Sequence, residues 1–435
     1  MFVLRVLSLA VAAALPSLAV ACAPDATGRC IALDGGGEAQ LDASLRLRGM
    51  YYDPTRFGIQ GREDGYGLLR ALSSVAIRRD RWEGMVQLGV HAEQGRDGGP
   101  GGTDRGALDL QQGYVRWHGD HLSWQLGRQE AAYGSSRLLS VRDGPNIRLA
   151  FDGVRARWQQ GGLTLDAMAL RPVDNRMGAF DDRSDRGQYL LGGYATWQGA
   201  RAGNGLDLYL LDYGRDGARF ASASGDERRT SLGTRWFARH PRWDANIEAV
   251  AQRGTLARRQ GGQGDLAIRA WTLASDSGVR WPDAPWQPRI GVKLDIASGD
   301  RNASDERLGT FNAMYPKSAY FSEASLLAPA NLMDVQPTLT LAPHANVSTE
   351  LGVQLAWKHQ RSDAIYTTPA PLAAVPGTAG TPRRIGQQYK WETSWQASNH
   401  WTWKGQLAWF EAGPGLRAAG GRDSLFASVV GAWQW

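Results

Sequence analysis

The chain has 435 residues and carries 49 Lys and Arg against 43 Asp and Glu, a formal charge of +6 at pH 7. No uninterrupted block of one sign occurs, so a basic arm of the kind that grips nucleic acid is not expected. Mean hydropathy is -0.39, and past the N-terminus no run approaches roughly 20 apolar residues, which excludes a membrane protein built from helices.

Residues 1–21 read as a cleaved export signal: Arg5 supplies the positive start, Val6 to Leu15 the apolar stretch, and Ala19-Val20-Ala21 the small-residue cleavage site. A tail is expected over 22–40, with the only two cysteines, Cys22 and Cys30. Two chemistries are open there: lipid attachment at Cys22, or a disulfide loop in an oxidising compartment.

From Leu41 the pattern changes to strict alternation. Leu41, Ala43, Leu45 and Leu47 alternate with Asp42, Ser44, Arg46 and Arg48, so the period is two and one face is apolar. Similar segments follow near 69–79, 82–93, 110–118, 122–130, 151–159, 163–171, 188–198, 206–213, 229–238, 243–253, 266–279, 289–298, 332–341, 347–359, 385–397, 401–412 and 424–435. Pro337 weakens the stretch at 332–341, because proline cannot donate to a ladder. Short connections such as Arg79-Asp80, Gly119-Asp120 and Ser398-Asn399 take turns with long polar ones at 53–66, 94–107, 131–150, 172–187, 299–331 and 360–384. The reading is all-β: an antiparallel transmembrane β-barrel over 41–435, of about 18 strands, with short periplasmic turns and long extracellular loops. The chain ends on SLFASVVGAWQW, alternating and aromatic at its terminus, and Trp82, Trp117, Trp158, Trp197, Trp281, Trp357, Trp401 and Trp433 fall near strand ends, where interfacial girdles use them.

Parity then sorts the charges. An arginine at the lipid midplane costs about 2–4 kcal/mol, so most mid-strand arginines are expected to turn inward. The expected conducting lumen is lined by Arg46, Arg48, Arg70, Arg116, Arg128, Arg155, Arg157, Arg235, Lys293 and Lys390, with Arg78, Arg229, Arg269, Arg289, Lys358 and Lys404 as further inward cations. Acidic positions there are fewer, among them Asp166, Asp207, Glu248, Asp295 and Glu350. Arg128 shares parity with Leu122, Trp124 and Leu126 and needs a bulge at Gly127 to reach the inside. A net positive, low-dielectric conduit concentrates anions, and arginine's planar fork suits the repeated carboxylates of a uronic acid chain. The competing account is that these charges simply pair across strands.

The stretch GRQEAAYGSSRLLSVRDGPNIRLAFDGVRARW, Gly127 to Trp158, resembles the alginate export family of outer-membrane proteins, as does FNAMYPKSAYFSEASLLAPANLMDVQPTLTL, Phe311 to Leu341. The motif positions are Gly127, Arg128, Arg142, Phe151, Asp152, Gly153 and Arg155. The resemblance implies an eighteen-stranded barrel with an arginine-lined conduit for an anionic exopolysaccharide and a mouth controlled by loops. Outer-membrane lipid, an anionic polysaccharide or oligosaccharide, the barrel assembly machinery and periplasmic export or uptake proteins are the expected partners, with no cofactor and no metal. The alternative is a porin taking up small anionic solutes.

An enzyme is not expected. His118, His121, His240, His344 and His400 fall in or beside short turns, His91 is a lone inward histidine, and no nucleophile-elbow serine or paired zinc histidines accompany them. The Gly-rich stretch Asp97 to Asp104 has no strand-to-helix context and reads as a loop.

Overall fold

The computed structural model describes residues 29–258, 264–368 and 372–435. The expected export signal and Cys22 lie outside the described residues; Cys30 is buried and disulfide-bonded.

Eighteen long strands account for the alternating segments. They are β1 Glu38–Asp53, β2 Asp64–Arg79, β3 Trp82–Gln94, β4 Gly106–His118, β5 Leu122–Gln129 and β6 Phe151–Gln160. Next come β7 Leu163–Asp174, β8 Gln188–Gln198, β9 Gly205–Arg219, β10 Ser224–His240, β11 Trp243–Arg258 and β12 Leu266–Arg280. The last six are β13 Arg289–Ala297, β14 Leu332–His344, β15 Val347–Lys358, β16 Arg384–Gln396, β17 Trp401–Ala412 and β18 Ser424–Gln434. Each pairs antiparallel with the next, and β1 closes on β18 from Ser44↔Gln434 to Asp53↔Leu425. Closure leaves no edge strand, so every strand's hydrogen bonds are met inside the cylinder, which is the condition for crossing lipid. The only helical pieces among the described residues are four-residue turns at Thr55–Gly58 and Pro414–Arg417.

The outer face is apolar where alternation predicts it: Leu47, Val75, Val86, Leu126, Leu208, Leu232 and Leu273 stand exposed to the surroundings. Tryptophans ring the end that carries the short turns, and register brings several into direct opposition, Trp82↔Trp117, Trp117↔Trp124, Trp395↔Trp403 and Trp401↔Trp433. Such amphipathic rings mark the headgroup level.

Three features differ from a barrel with all its loops outside. Pro337 lies within β14 and is matched to Val292 of β13, whereas its pairing with β15 skips from Val335↔Leu355 to Thr338↔Gly352. The strand therefore tolerates the missing donor at the cost of one interruption. The connection between β9 and β10 is only the four residues 220–223, because these two strands themselves extend past their neighbours. The third and largest difference is that the long connections 130–150 and 298–331 fold into the barrel, where Leu138, Leu139, Phe311, Met314 and Tyr315 pack with wall residues Phe151, Leu170, Tyr209 and Tyr213.

Gly127 and Gly153 set how closely β5 approaches β4 and β6 approaches β7. They are register partners, at φ 126° and 154°, and a Cβ on Gly153 would stand 2.1 Å from the Ala169 carbonyl oxygen. Replacing Gly153 with Val should cost about 1–3 kcal/mol through overpacking, read as a lower urea midpoint for loss of the heat-modifiable folded band; an unchanged midpoint would show that the strands separate freely there.

Candidate conduction pathway

Cross-strand register assembles a charged ladder on the inner wall near the periplasmic end. Glu38, Arg78, Glu83, Arg116, Gln125 and Arg155 are successive partners across β1 to β6. Arg78 donates to Glu83 at 2.9 Å and to Glu38 at 3.4 Å, and Arg116 donates to Glu83 at 3.2 Å and Gln125 at 2.7 Å. Arg155 ends the row differently: its two side-chain partners are amides, Gln129 at 2.6 Å and Gln125 at 3.0 Å, and it forms no ion pair with a carboxylate among the described residues. A cavity of 330 Å³ opens here, lined by Arg116, Gln125, Arg155, Arg157 and Asp166.

The other expected cations are placed as follows. Arg157 holds Asp166 through two bonds of 2.8 and 2.9 Å, Arg235 holds Asp207 at 2.6 Å, and Lys293 and Lys390 share Glu350 at 3.5 and 2.8 Å. Arg46 and Arg70 both face Asp143 of the 130–150 loop, at 3.9 and 2.6 Å, and Arg48 pairs with Glu323 of the 298–331 loop at 3.1 Å. Nine of the ten therefore face inward, and eight of those have a carboxylate partner. The cross-strand pairing account is correct for most of the wall, and the free positive excess is smaller than the residue list suggests.

Arg128 is the exception, and a correction. The register runs through Gly127 with no bulge, so Arg128 keeps the outward parity of Trp124 and Leu126. It forms two bonds to its outward register partner Asp152, at 2.8 and 3.1 Å, and a third to the Asp182 carbonyl beneath the 175–187 connection. This motif pair fastens the outer rim. Arg142 lies in the 130–150 loop and donates to the carbonyls of Met314 and Pro316 at 3.0 and 3.2 Å; burial lowers its pKa to about 10, so it stays charged at neutral pH. Arg269 is a second correction: it is exposed and shares outward parity with Trp271 and Leu273. His91 faces inward as expected and is buried.

The two inward loops form the narrow part of the lumen. The 130–150 loop spans it, with Arg137 bound to Glu248 and Asn246 of β11 at 3.0 Å each, and Asp143 held by β1 and β2. The 298–331 loop crosses it. Backbone bonds join them, Tyr315 to Leu138 and Lys317 to Ser136, both 2.9 Å, and Tyr320 donates to Asp295 of β13 at 2.8 Å. Lys317 was not among the expected residues because nothing periodic marks it. Its side chain is open to the passage, although protein surrounds it, and it has no hydrogen-bond or ion-pair partner among the described residues. Burial, then Lys293 and Arg137, lowers its pKa to about 8.

A sequence profile of the alginate export family matches residues 38–430, nearly the whole barrel. The chain belongs to the alginate export family. It is an outer-membrane channel, and the family is not enzymatic. No curated protein matches the sequence. Among solved structures the barrel is similar to Pseudomonas aeruginosa OpdQ, with 10% identity, 91% of this chain and 97% of that chain covered, and a TM-score of 0.61. It is also similar to P. aeruginosa OpdK solved with vanillate, at 11% identity, 91% and 98% coverage and TM-score 0.59. P. aeruginosa OccK2 (OpdF), solved in complex with glucuronate, aligns at 11% identity, 91% and 97% coverage and TM-score 0.57. At these identities the likeness establishes the fold of the channel.

Two outcomes follow from this geometry. Arg137→Ala removes a buried pair of a kind whose disruption costs about 3–5 kcal/mol; it should loosen the 130–150 loop and give larger, noisier single-channel currents with the folded band intact. Lys317 loses its charge as pH rises through about 8, because a lowered lysine pKa means earlier deprotonation. Anion preference, read as the reversal potential in a salt gradient, should therefore fall between pH 7 and 9, and Lys317→Gln should abolish that step.

Proposed function

We propose that this channel conducts an anionic saccharide, a chain of uronic acids of the alginate type, through the arginine-lined lumen. The observation that carries the reading is the set of inward cations that face the passage, with Arg155 beside the cavity near the periplasmic end and Lys317 on an inward loop both free of carboxylate partners among the described residues. A carboxylate arriving at Arg155 finds a guanidinium already oriented by Gln125 and Gln129, so little side-chain order is lost on binding. Paired cations such as Arg157 and Lys390 can exchange their protein carboxylate for one on the sugar without leaving a charge uncompensated. The acids limit residence at each step, which suits passage better than retention. The glucuronate seen with OccK2 (OpdF) is a monomer of the same chemical class. Delivery of the polymer falls to periplasmic export or uptake proteins, since a passive pore follows the gradient supplied to it.

Uptake of small anionic solutes is the second reading, favoured by the two loops that cross the lumen. Block of single-channel current separates the two. Under the polysaccharide reading, residence time of oligouronides lengthens with chain length and exceeds that of glucuronate; equal block by monomer and hexamer supports the small-solute porin. Arg155→Glu should reduce anion-over-cation permeability by about tenfold or reverse it, since it inverts the charge of a confined site. Unchanged selectivity would remove Arg155 from the pathway.

A further inference from the structure

The outer wall of β11 and β12 carries charge where parity puts lipid. Arg253 and Arg269 are direct register partners across these strands, both exposed, on the face that also presents Ile247, Trp271 and Leu273. Like charges placed opposite each other destabilise a strand pair. Neither guanidinium has a hydrogen-bond or ion-pair partner among the described residues. Arg307, exposed and paired in parallel beside Ala267, adds a third cation one row further from the membrane centre.

The nearby carboxylates on this face form no ion pair with the group among the described residues, and exposed Asp265, one outward step beyond Ala267, is one of them. Asp212 lies in the same row but on the far side of Thr230, whose hydroxyl donates to it at 2.9 Å. Arg228, in the next row, is already accommodated by Asp216 at 4.0 Å and by the Tyr189 ring at 5.1 Å.

Height fixes what these arginines meet. Arg253 is ten residues along β11 from Trp243 in the periplasmic girdle; at about 3.3 Å per residue and a tilt of about 40°, that is about 25 Å, the height of the apolar band. Arg269 stands ten residues from Val279 on β12 and one outward step beyond Trp271. Both therefore reach the headgroup level on the long-loop side, with Leu232, Ala251 and Leu273 forming an apolar surface directly below them. The fit is to an amphiphile with acyl chains and an anionic head, and three guanidinium forks match phosphate oxygens better than a single carboxylate. The barrel wall separates this group from the lumen, so a solute in transit does not reach it.

We propose that Arg253, Arg269 and Arg307 form a docking site on the outer wall for the phosphate of an outer-leaflet glycolipid. The bound dianion relieves the opposition of Arg253 and Arg269 and fixes the barrel's height in the membrane. Native mass spectrometry of the full-length barrel in detergent tests this with bis-phosphorylated lipid A, its dephosphorylated form and inorganic phosphate as separate probes. The phosphorylated lipid should give a one-to-one adduct, and the double variant Arg253→Gln/Arg269→Gln should lower its abundance about tenfold or more, with heat-modifiable migration preserved. Equal adduct from the dephosphorylated lipid, an undiminished adduct on the variant, or saturation by inorganic phosphate with no preference for the lipid would each overturn the proposal. Should the variant fail to fold, the two lipids compared on the unaltered barrel decide the matter.

Discussion

The requirement that no backbone donor or acceptor be left bare in hydrocarbon governs the rest of this molecule. It forces the sheet to close, β1 onto β18, and closure fixes every strand residue on one of two faces. Identical side chains then acquire opposite meanings by a shift of one position. Arg155 and Arg269 are both strand arginines in mid-chain, yet the first faces a wet passage and the second the membrane boundary. Their difference is parity alone, before any contact is considered.

Inside the cylinder a second constraint takes over, because the low dielectric makes an unpaired charge expensive. The wall answers with alternation across strands as well as along them: Glu38, Arg78, Glu83 and Arg116 form one such row, and Asp207, Arg235 and Glu248 are register partners in another. A ladder of this type stiffens the barrel and at the same time offers a succession of cations whose partners are exchangeable. The exceptions, Arg155 with its two glutamines and Lys317 with no side-chain partner among the described residues, carry more information about the passing solute than the numerous pairs do.

Strands were legible because alternation is a local signal that lipid enforces, and all eighteen segments emerge with ends shifted by a few residues. Even the stretch around Pro337 reads through, since two skipped ladder positions are a small perturbation in a strand held from both sides. Charge placement was legible only where parity is unbroken and was assigned without wishing residues inward: Arg128 and Arg269 both lie on the face their apolar neighbours dictate. Loop course was not legible. The contacts that draw 130–150 and 298–331 inside join residues far apart in sequence, such as Arg48 with Glu323 and Arg46 with Asp143, and no periodicity encodes them. Nor did the sequence distinguish a free cation from a paired one, because Glu248 and Asp143 meet their arginines only through those loops.

The cylinder and its constriction are thus separable in energetic terms. Every hydrogen bond that makes the barrel viable in lipid lies between neighbouring strands, whereas the loops are fastened by side chains and a few backbone bonds, Arg137 to Glu248, Asp143 to Arg70, Tyr315 to Leu138. Moving a loop breaks none of the ladder. Two of the loop fastenings, Asp143 on Arg46 and Arg70 and Glu323 on Arg48, are carboxylates on wall cations, which makes the loops internal competitors for the groups an anionic solute would use. Under the proposed function, an anionic solute that took over Arg48 or Arg70 would release a loop from the wall, so the binding of anions and the placement of the loops would draw on the same ion pairs.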